Sequence, residues 1–257
     1  MGQSRMWTWL KKKTDKPVIL NCYTFHPGIA DKFPIEKINH ALPDWFKTTS
    51  PTYPQEMNGI EVQAPTIRSC AGFNDLYRKS LYIPLWSDHI IETDEVNWRS
   101  ISSAADPDLL PLTEHSPAQF PNAFPSSHHI KFQTPWAFTC DEDISFMLSS
   151  PVWNQKGDVH NITVIPGLLE FKYQSATHVN TLVPKGFNRI EIDAGSPLCM
   201  LTPLTERRVI IKNHLVSYEE YARITVKNDY TSTFRNKYKK GKKFSSNAKS
   251  KCPFHKG

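Results

Sequence analysis

The stretch NRIEIDAGSPLCMLTP, residues 188–203, changes from strict alternation to an almost continuous apolar run. Ile190 and Ile192 alternate with Glu191 and Asp193, which is the period-two pattern of a half-buried β-strand. Gly195 lies in a short turn, and the apolar run follows it directly. Short apolar runs bounded by turn residues are typical of strands. This stretch therefore predicts neighbouring β-strands and sets the fold class.

The same pattern of short strand-like runs bounded by turn residues extends over Ile130–Pro203. The further runs are IKFQTPWAFTC, ISFMLSSPVW, VHNITVIPGLLEFKYQ and HVNTLVP. Near the N-terminus, PVILNCYTF at Pro17–Phe25 predicts a buried strand. Twenty prolines against ten glycines disfavour a helical bundle, because proline interrupts helices. The sequence predicts a mostly β fold, of β-sandwich or jelly-roll type, with a few short helices and a C-terminal helical extension.

Two segments between the strands have predictions of their own. FPIEKINHALPDWFK, residues 33–47, predicts a helix that begins at Pro34 and ends before Pro43, with Ile35 and Ile38 on one face. Residues 50–63 are rich in turn-forming types and predict a loop.

The chain divides into four predicted segments. Residues 1–16 are an N-terminal segment and residues 17–216 form the β-rich domain. Residues 217–243 are a helical extension, since Ser217 with Glu220 three residues later is a capping box. Residues 244–257 have no apolar periodicity and predict a flexible basic tail.

Cysteine usage and hydropathy predict a cytoplasmic protein. The five cysteines are odd in number and far apart, which favours reduced thiols. No apolar run approaches the ~18 residues of a membrane span, and no signal-peptide core follows the first residues. We therefore predict no membrane partner and, for a phage-encoded chain, a place in the host cytoplasm.

Charge is strongly segregated along the chain. From Thr231 onward there are nine Lys or Arg residues and no acidic residue, whereas residues 1–230 hold 22 basic and 25 acidic residues. The body is thus mildly acidic and the overall net charge of +6 comes from the C-terminal end. Such an end predicts a contact with a polyanion or an acidic surface, its own body in a homo-oligomer included.

The C-terminal end interleaves cations with aromatic residues. Lysine and arginine release counterions from phosphates, and aromatic rings stack on unpaired bases. The predicted polyanion-binding residues are Arg235, Lys237, Tyr238, Lys239, Lys240, Lys242, Lys243 and Phe244. Nucleic acid and an acidic protein surface both remain open as the partner, beside a purely solvated end.

An ordered set of motifs resembles an uncharacterised family of bacterial and bacteriophage proteins. The motifs are LPDWFK (42–47), TIRSCAGFNDLYRKSLYIPLWSD (66–88), IKFQTPWAF (130–138), VIPGLLE (164–170), GSPLCMLTPLTERR (195–208) and KCPF (251–254). The resemblance implies a phage or bacterial origin and a compact β-rich fold, and it implies no reaction. The chain departs from the family pattern at CDEDISF (140–146) and at Glu170 and Lys172.

One part is also similar to dUTPase-like β-clip enzymes. Gly167, Glu170, Tyr173 and Gly195 fall on positions of that motif. In such enzymes the acid orients a water for attack on a phosphate chain. Met200 replaces the glutamine of the motif, so the similarity to an active hydrolase is incomplete.

Metal sites are weakly indicated. A jelly-roll iron enzyme would use a His-x-Asp/Glu pair with a distant histidine, and here the pair is reversed in Asp158 and His160, with His178 downstream. His128 and His129 would point to opposite faces of a strand and are expected in a loop or at the surface.

A zinc site is a second metal hypothesis. It would join Cys22 and His26 to Cys252 and His255, if the two ends of the chain met. Cys22 more simply fills the core. We predict no resident metal and no cofactor.

The sequence contains no P-loop, no Gly-x-Gly-x-x-Gly and no Gly-x-Ser-x-Gly elbow. It favours a phage-type protein with a binding or structural role over an enzyme. A metal- or nucleotide-dependent enzyme, either dUTPase-like or of the jelly-roll iron type, is the alternative.

Overall fold

The computed structural model of the chain describes residues 16–104, 112–119, 123–151 and 157–226. In these ranges the chain is mostly β, which confirms the predicted fold class. The strands are β1 (Val18–Thr24), β2 (Glu36–Lys37), β3 (Thr52–Met57), β4 (Ile60–Pro65), β5 (Leu81–Pro84), β6 (His89–Thr93), β7 (Trp98–Ser102), β8 (Leu112–Glu114), β9 (Ser127–Thr139), β10 (Phe146–Ser149), β11 (Thr163–Val164), β12 (Gly167–Leu169), β13 (Ala176–Pro184), β14 (Asn188–Ile192), β15 (Pro197–Pro203) and β16 (Val209–Leu215). The α-helices are α1 (Pro27–Lys32), α2 (Asp44–Thr48), α3 (Ala71–Lys79) and α4 (Tyr218–Val226).

The strands form two larger and two smaller sheets. The first sheet has the order β11-β13-β9-β1-β16, with β8 also paired to β9, and the second has the order β12-β10-β15-β5-β2. The smaller sheets are β14-β6-β7 and the hairpin β3-β4. Strands β1 and β16 pair in parallel from Val18 opposite Val209 to Thr24 opposite Leu215. Strand β16 is therefore one edge of the first sheet, and β2 is one edge of the second.

Both larger sheets contribute to one hydrophobic core. Leu20 and Phe132 enter it from the first sheet, and Ile83 and Leu201 enter it from the second. All four side chains are fully buried, and each such burial stabilises the fold by roughly 1.5–3 kcal/mol. The shared core is the arrangement expected of a β-sandwich.

The helical extension begins where the capping box predicts. The backbone N–H of Glu220 donates to the hydroxyl of Ser217 at 3.2 Å, and α4 starts at Tyr218. The helix is described to Val226. The remainder of the predicted extension, to residue 243, lies outside the described residues.

The helix predicted from Pro34 to Pro43 is wrong. This segment instead forms the short edge strand β2, which pairs with β5, and then a 3-10 helix at Ile38–Ala41. The reason is a distant side chain. Asn213 accepts from the backbone N–H of Ile35 at 3.3 Å and donates to its carbonyl at 3.0 Å, so the backbone of Ile35 is held away from helical hydrogen bonding.

The loop predicted at residues 50–63 is also wrong, because these residues build most of the hairpin β3-β4. Its two-residue turn is Asn58-Gly59, with φ of 54° and 78°. Both residues are in the left-handed region, as a type I′ hairpin turn requires, and Asn-Gly is the preferred pair for that turn.

Candidate functional site

The residues predicted to bind a polyanion lie outside the described residues: Arg235, Lys237, Tyr238, Lys239, Lys240, Lys242, Lys243 and Phe244. Cys252 and His255, half of the zinc hypothesis, lie there as well. For the other half, Cys22 is fully buried in the core, and burial raises the pKa of its thiol well above the usual value. A zinc ligand must be a thiolate, so this environment disfavours metal binding by Cys22.

A different cationic site lies within the described residues, in a groove between the edges of the two larger sheets. Its volume is about 720 Å³. Strand β2, the C-terminal end of α3 and the first half of β16 form its walls. Its charged lining residues are Glu36, Lys37, His40, Arg78, Lys79, Glu206, Arg207 and Arg208. We call this feature the edge groove.

Long-range contacts fix the walls of the edge groove. The bridge from Asn213 to the backbone of Ile35 joins β16 to the segment before β2. The ammonium of Lys37 donates to the carbonyl of Lys79 at 2.9 Å and so joins β2 to the end of α3. The carbonyl of Arg208 accepts from the backbone N–H of Val18 at 2.9 Å, which places Arg208 at the start of the β1–β16 pairing.

Three cations of the groove already have a carboxylate partner. Lys79 pairs with Glu206 at 2.6 Å, and Arg78 pairs with Asp75 three residues before it. Arg207 grips both oxygens of Glu142.

The Arg207–Glu142 contacts are 3.2 Å and 3.1 Å long, and Arg207 also donates to the carbonyl of Lys16. The hydrogen bond to Glu142 raises the pKa of Arg207, and the same contact lowers the pKa of Glu142. These pairs are structural and hold the rim of the groove in place.

Lys37 and Arg208 differ from the other three cations. Within the described part of the chain, neither forms an ion pair with a carboxylate. Burial is the main cause that lowers the pKa of Lys37, and the positive charge of Arg208 is the second. Lys37 is half-buried and Arg208 is exposed, and a bound anion would offset the repulsion between their like charges.

The acid nearest along the chain is engaged elsewhere. Glu36 accepts a long hydrogen bond of 3.4 Å from the hydroxyl of Tyr82, and the imidazole of His40 lies 3.8 Å from its carboxylate. Burial, followed by the charge of Glu36, raises the pKa of Tyr82 to about 12. The groove can therefore offer an ammonium and a guanidinium to a phosphate or carboxylate group.

Sequence reasoning missed the edge groove, although it quoted the residues that form it. Arg78 and Lys79 come from the motif at residues 66–88, and Arg207 and Arg208 come from the motif at residues 195–208. The signal present in the sequence was the adjacent cation pairs, Arg-Lys and Arg-Arg. No local pattern shows that the two pairs meet.

The histidines predicted at the surface are buried. His128 and His129 lie on β9, where the Nε2 of His128 is 3.0 Å from the carbonyl of Asp94 and the ring of His129 lies 4.4 Å from that of His115. His115 lies against His129, and the carbonyl of Asp94 and the carboxylate of Glu114 lie against His128. Because they are consecutive residues of a strand, their side chains lie on opposite faces of β9, as the sequence predicts.

The reversed iron motif has no metal-site geometry. Asp158 and His160 lie in a 3-10 helix, and the carboxylate of Asp158 accepts from the backbone N–H of Glu191 at 3.0 Å. His178 lies on β13. Among the residues that the structure describes, no three His, Cys, Asp or Glu side chains are grouped so that they could hold a metal ion.

Three of the four β-clip-like residues lie at or just after the edge strand β12 of the second sheet, whereas Gly195 lies in the turn before the inner strand β15. Gly167 begins β12, and the carbonyl of Glu170 closes a turn by accepting from the backbone N–H of Tyr173 at 3.0 Å. The cavity beside this turn is about 120 Å³, below the ~300 Å³ at which small-molecule sites begin. The dUTPase-like reaction stays a prediction. Its test is an assay of pyrophosphate release from dUTP, which the unaltered chain should show and the Glu170→Gln variant should not.

No protein-family model, no curated protein and no solved structure matches the chain. In the described ranges, none of the helices is both long enough and apolar enough to traverse a bilayer.

Proposed function

We propose that the protein binds a phosphate-bearing polyanion and that this polyanion is single-stranded nucleic acid. The edge groove holds part of the phosphate backbone of that strand. The observation that carries this proposal is the pair Lys37 and Arg208, which line one groove without a carboxylate partner in the described residues. An incoming phosphate would supply the missing negative charge.

The position of this pair makes it significant. The other lysine and arginine residues that line the edge groove, Arg78, Lys79 and Arg207, each have a carboxylate partner. Lys37 and Arg208 line the same groove without one in the described part of the chain, and the charge of Arg208 lowers the pKa of the Lys37 ammonium. A bound anion would offset the repulsion between these two like charges.

The C-terminal end supports a nucleic acid over an acidic protein. Its cations are interleaved with Phe234, Tyr238 and Phe244, and aromatic rings add base stacking to phosphate contacts. In this proposal the edge groove contributes fixed phosphate contacts, and the end of the chain contributes further contacts along the same strand. We also propose that the protein is of phage or bacterial origin and is located in the cytoplasm.

The test is fluorescence anisotropy of a labelled single-stranded oligonucleotide of about 12 nucleotides, within the site sizes known for such proteins. The full chain should bind at low salt. The double variant Lys37→Met/Arg208→Gln should raise Kd at least about tenfold, the equivalent of one charge-assisted hydrogen bond.

The matched control is Lys212→Met, which removes an exposed lysine from β16 that does not line the groove. It should leave Kd within about twofold of the unaltered chain, since the side chain that is lost does not line the groove. Equal losses in both variants would contradict the groove. Displacement by polyglutamate as readily as by unlabelled oligonucleotide would assign the groove to acidic proteins instead.

A further inference from the structure

The hairpin β3-β4 projects from the body as a two-stranded arm. Its register runs from Thr52 opposite Pro65 to Met57 opposite Ile60. Every residue of β3 is exposed, and four of the six residues of β4 are exposed as well. A two-stranded hairpin with no further strand is marginally stable in water, so an arm of this kind needs support.

The base of the arm is clamped to the body. Arg68 donates to the carbonyls of Lys47 and Thr49 at 3.0 Å and 2.8 Å, and Ser69 donates to the carbonyl of Pro51 at 2.6 Å. The backbone N–H of Thr66 closes the base on Pro51 at 2.9 Å. These contacts fix the direction in which the arm leaves the body.

The two faces of the arm differ in chemistry. Cross-strand pairing places Tyr53, Gln55, Met57, Ile60, Val62 and Ala64 on one face. This face carries no charge. Its largest apolar side chains are well exposed: Ile60 by 66%, Met57 by 55% and Tyr53 by 46%. We call it the apolar face of the arm.

The opposite face is polar and acidic. Glu56 stands directly across from Glu61, so two like charges lie side by side. Like charges opposite each other destabilise a strand pair. The acidic face therefore repels a copy of itself, whereas the uncharged apolar face does not.

We propose that the apolar faces of two arms pack against each other about a twofold axis and join two copies of this chain. A twofold contact places the same surface on both sides, and only a surface without net charge can meet itself without repulsion. Stacking two arms also gives four strands around a common apolar layer. Three or more strands with an apolar face are needed for independent stability, and a lone hairpin has only two. The acidic faces then remain in water.

The size of the arm sets the strength of this contact. Six residues at ~3.4 Å per residue and two strands at ~4.8 Å give a face of about 20 Å by 10 Å. This area lies well below the ~800 Å² per partner of a standard interface, so the dimer should be weak and concentration-dependent. High protein concentration favours the dimer, and dilution dissociates it.

The test is sedimentation velocity of the full chain from about 1 to about 200 μM, the range in which a weak contact dissociates. The average mass should rise toward the dimer with concentration and should persist in high salt, because the contact is apolar. Met57→Glu/Ile60→Glu should be monomeric throughout, and Gln63→Glu, on the acidic face of the same arm, should dimerise as the unaltered chain does.

Three results would overturn the proposal. The first is a chain that stays monomeric at the highest concentration. The second is a dimer that Met57→Glu/Ile60→Glu leaves unchanged. The third is a dimer lost in high salt, which would indicate the basic end docking on the acidic body. As a positive readout, in a Cys70→Ser/Cys252→Ser background without the exposed Cys70 thiol and the C-terminal cysteine, Ile60→Cys should give a disulfide-linked dimer under mild oxidation, whereas Gln63→Cys should give none.

Discussion

Lys37 donates a hydrogen bond from its ammonium to the backbone carbonyl of Lys79 at 2.9 Å, while Arg208 on the facing wall lowers the pKa of the same ammonium. The hydrogen bond holds the side chain of Lys37 in place. The lowered pKa reflects the repulsion between its ammonium and the guanidinium of Arg208. The pair is thus positioned by the fold and is not stabilised by it.

Lys37→Met should leave the free energy of unfolding at pH 7 unchanged or raise it by up to about 1 kcal/mol, since the loss of one hydrogen bond is offset by the relief of a half-buried charge. The folded pKa of Lys37 is lowered, so the folded state penalises its proton. Stability should therefore rise as pH increases toward 10.5 in the unaltered chain, and rise less in the variant. Urea unfolding at pH 7 and pH 10 measures both effects. A loss above about 1 kcal/mol at pH 7 would show that Lys37 is structural.

Arg207→Lys should destabilise the fold by about 1 kcal/mol, because lysine cannot reproduce the two-point grip on Glu142. Arg208→Lys, at the neighbouring position without such a grip, is the matched control and should change stability by less than about 0.5 kcal/mol. The pKa of Glu142 is lowered by this contact, so its contribution is present above pH 4.5 and is lost as pH falls through the folded pKa. Unfolding curves at pH 7 and pH 3 check the prediction. Equal stabilities of the two variants would refute it.

His89 should make the fold acid-sensitive in a defined window. Its side chain is 1% exposed and bonded to the hydroxyl of Ser87 at 3.0 Å, and burial lowers its pKa to about 4. The unfolded chain binds a proton near pH 6.5, so stability is full above pH 6.5 and falls as pH decreases toward 4. The loss from this residue should be on the order of 3 kcal/mol between pH 7 and pH 4.

The measurement for His89 is the difference in unfolding free energy between these two pH values, compared in the unaltered chain and in His89→Gln. The variant removes the titrating group, so its pH dependence should be flatter by roughly that amount, even if the variant is less stable at pH 7. His40→Gln is the comparison variant, because it removes an exposed imidazole in place of a buried one. Parallel curves for His89→Gln and the unaltered chain would be the contrary result.

The β class and several elements could be predicted because their causes are local. The run at Pro17–Phe25 contains β1, with alternate side chains buried, and the capping box places the start of α4. The hairpin turn at Asn58-Gly59 was equally readable, and the prediction of a loop there overlooked the strongest short-range hairpin signal. These outcomes depend on residues within a few positions of one another.

The edge groove could not be predicted for the opposite reason. Asn213 holds Ile35 in place from the far end of the chain, and that contact turns a helical pattern into the segment that presents Lys37. Arg208 reaches the same groove only because β16 pairs in parallel with β1. Tertiary contacts of this kind override local propensity and leave no periodic trace in the sequence.

The most direct test of the central claim is the salt dependence of oligonucleotide binding by the full chain and by Lys37→Met/Arg208→Gln. Each phosphate contact on a single strand contributes a slope of about −0.7 in log Kobs against log salt concentration. If Lys37 and Arg208 each contact a phosphate, the slope of the double variant should be shallower by about 1.4. Two parallel lines would show that the edge groove binds no phosphate and would contradict the proposed function.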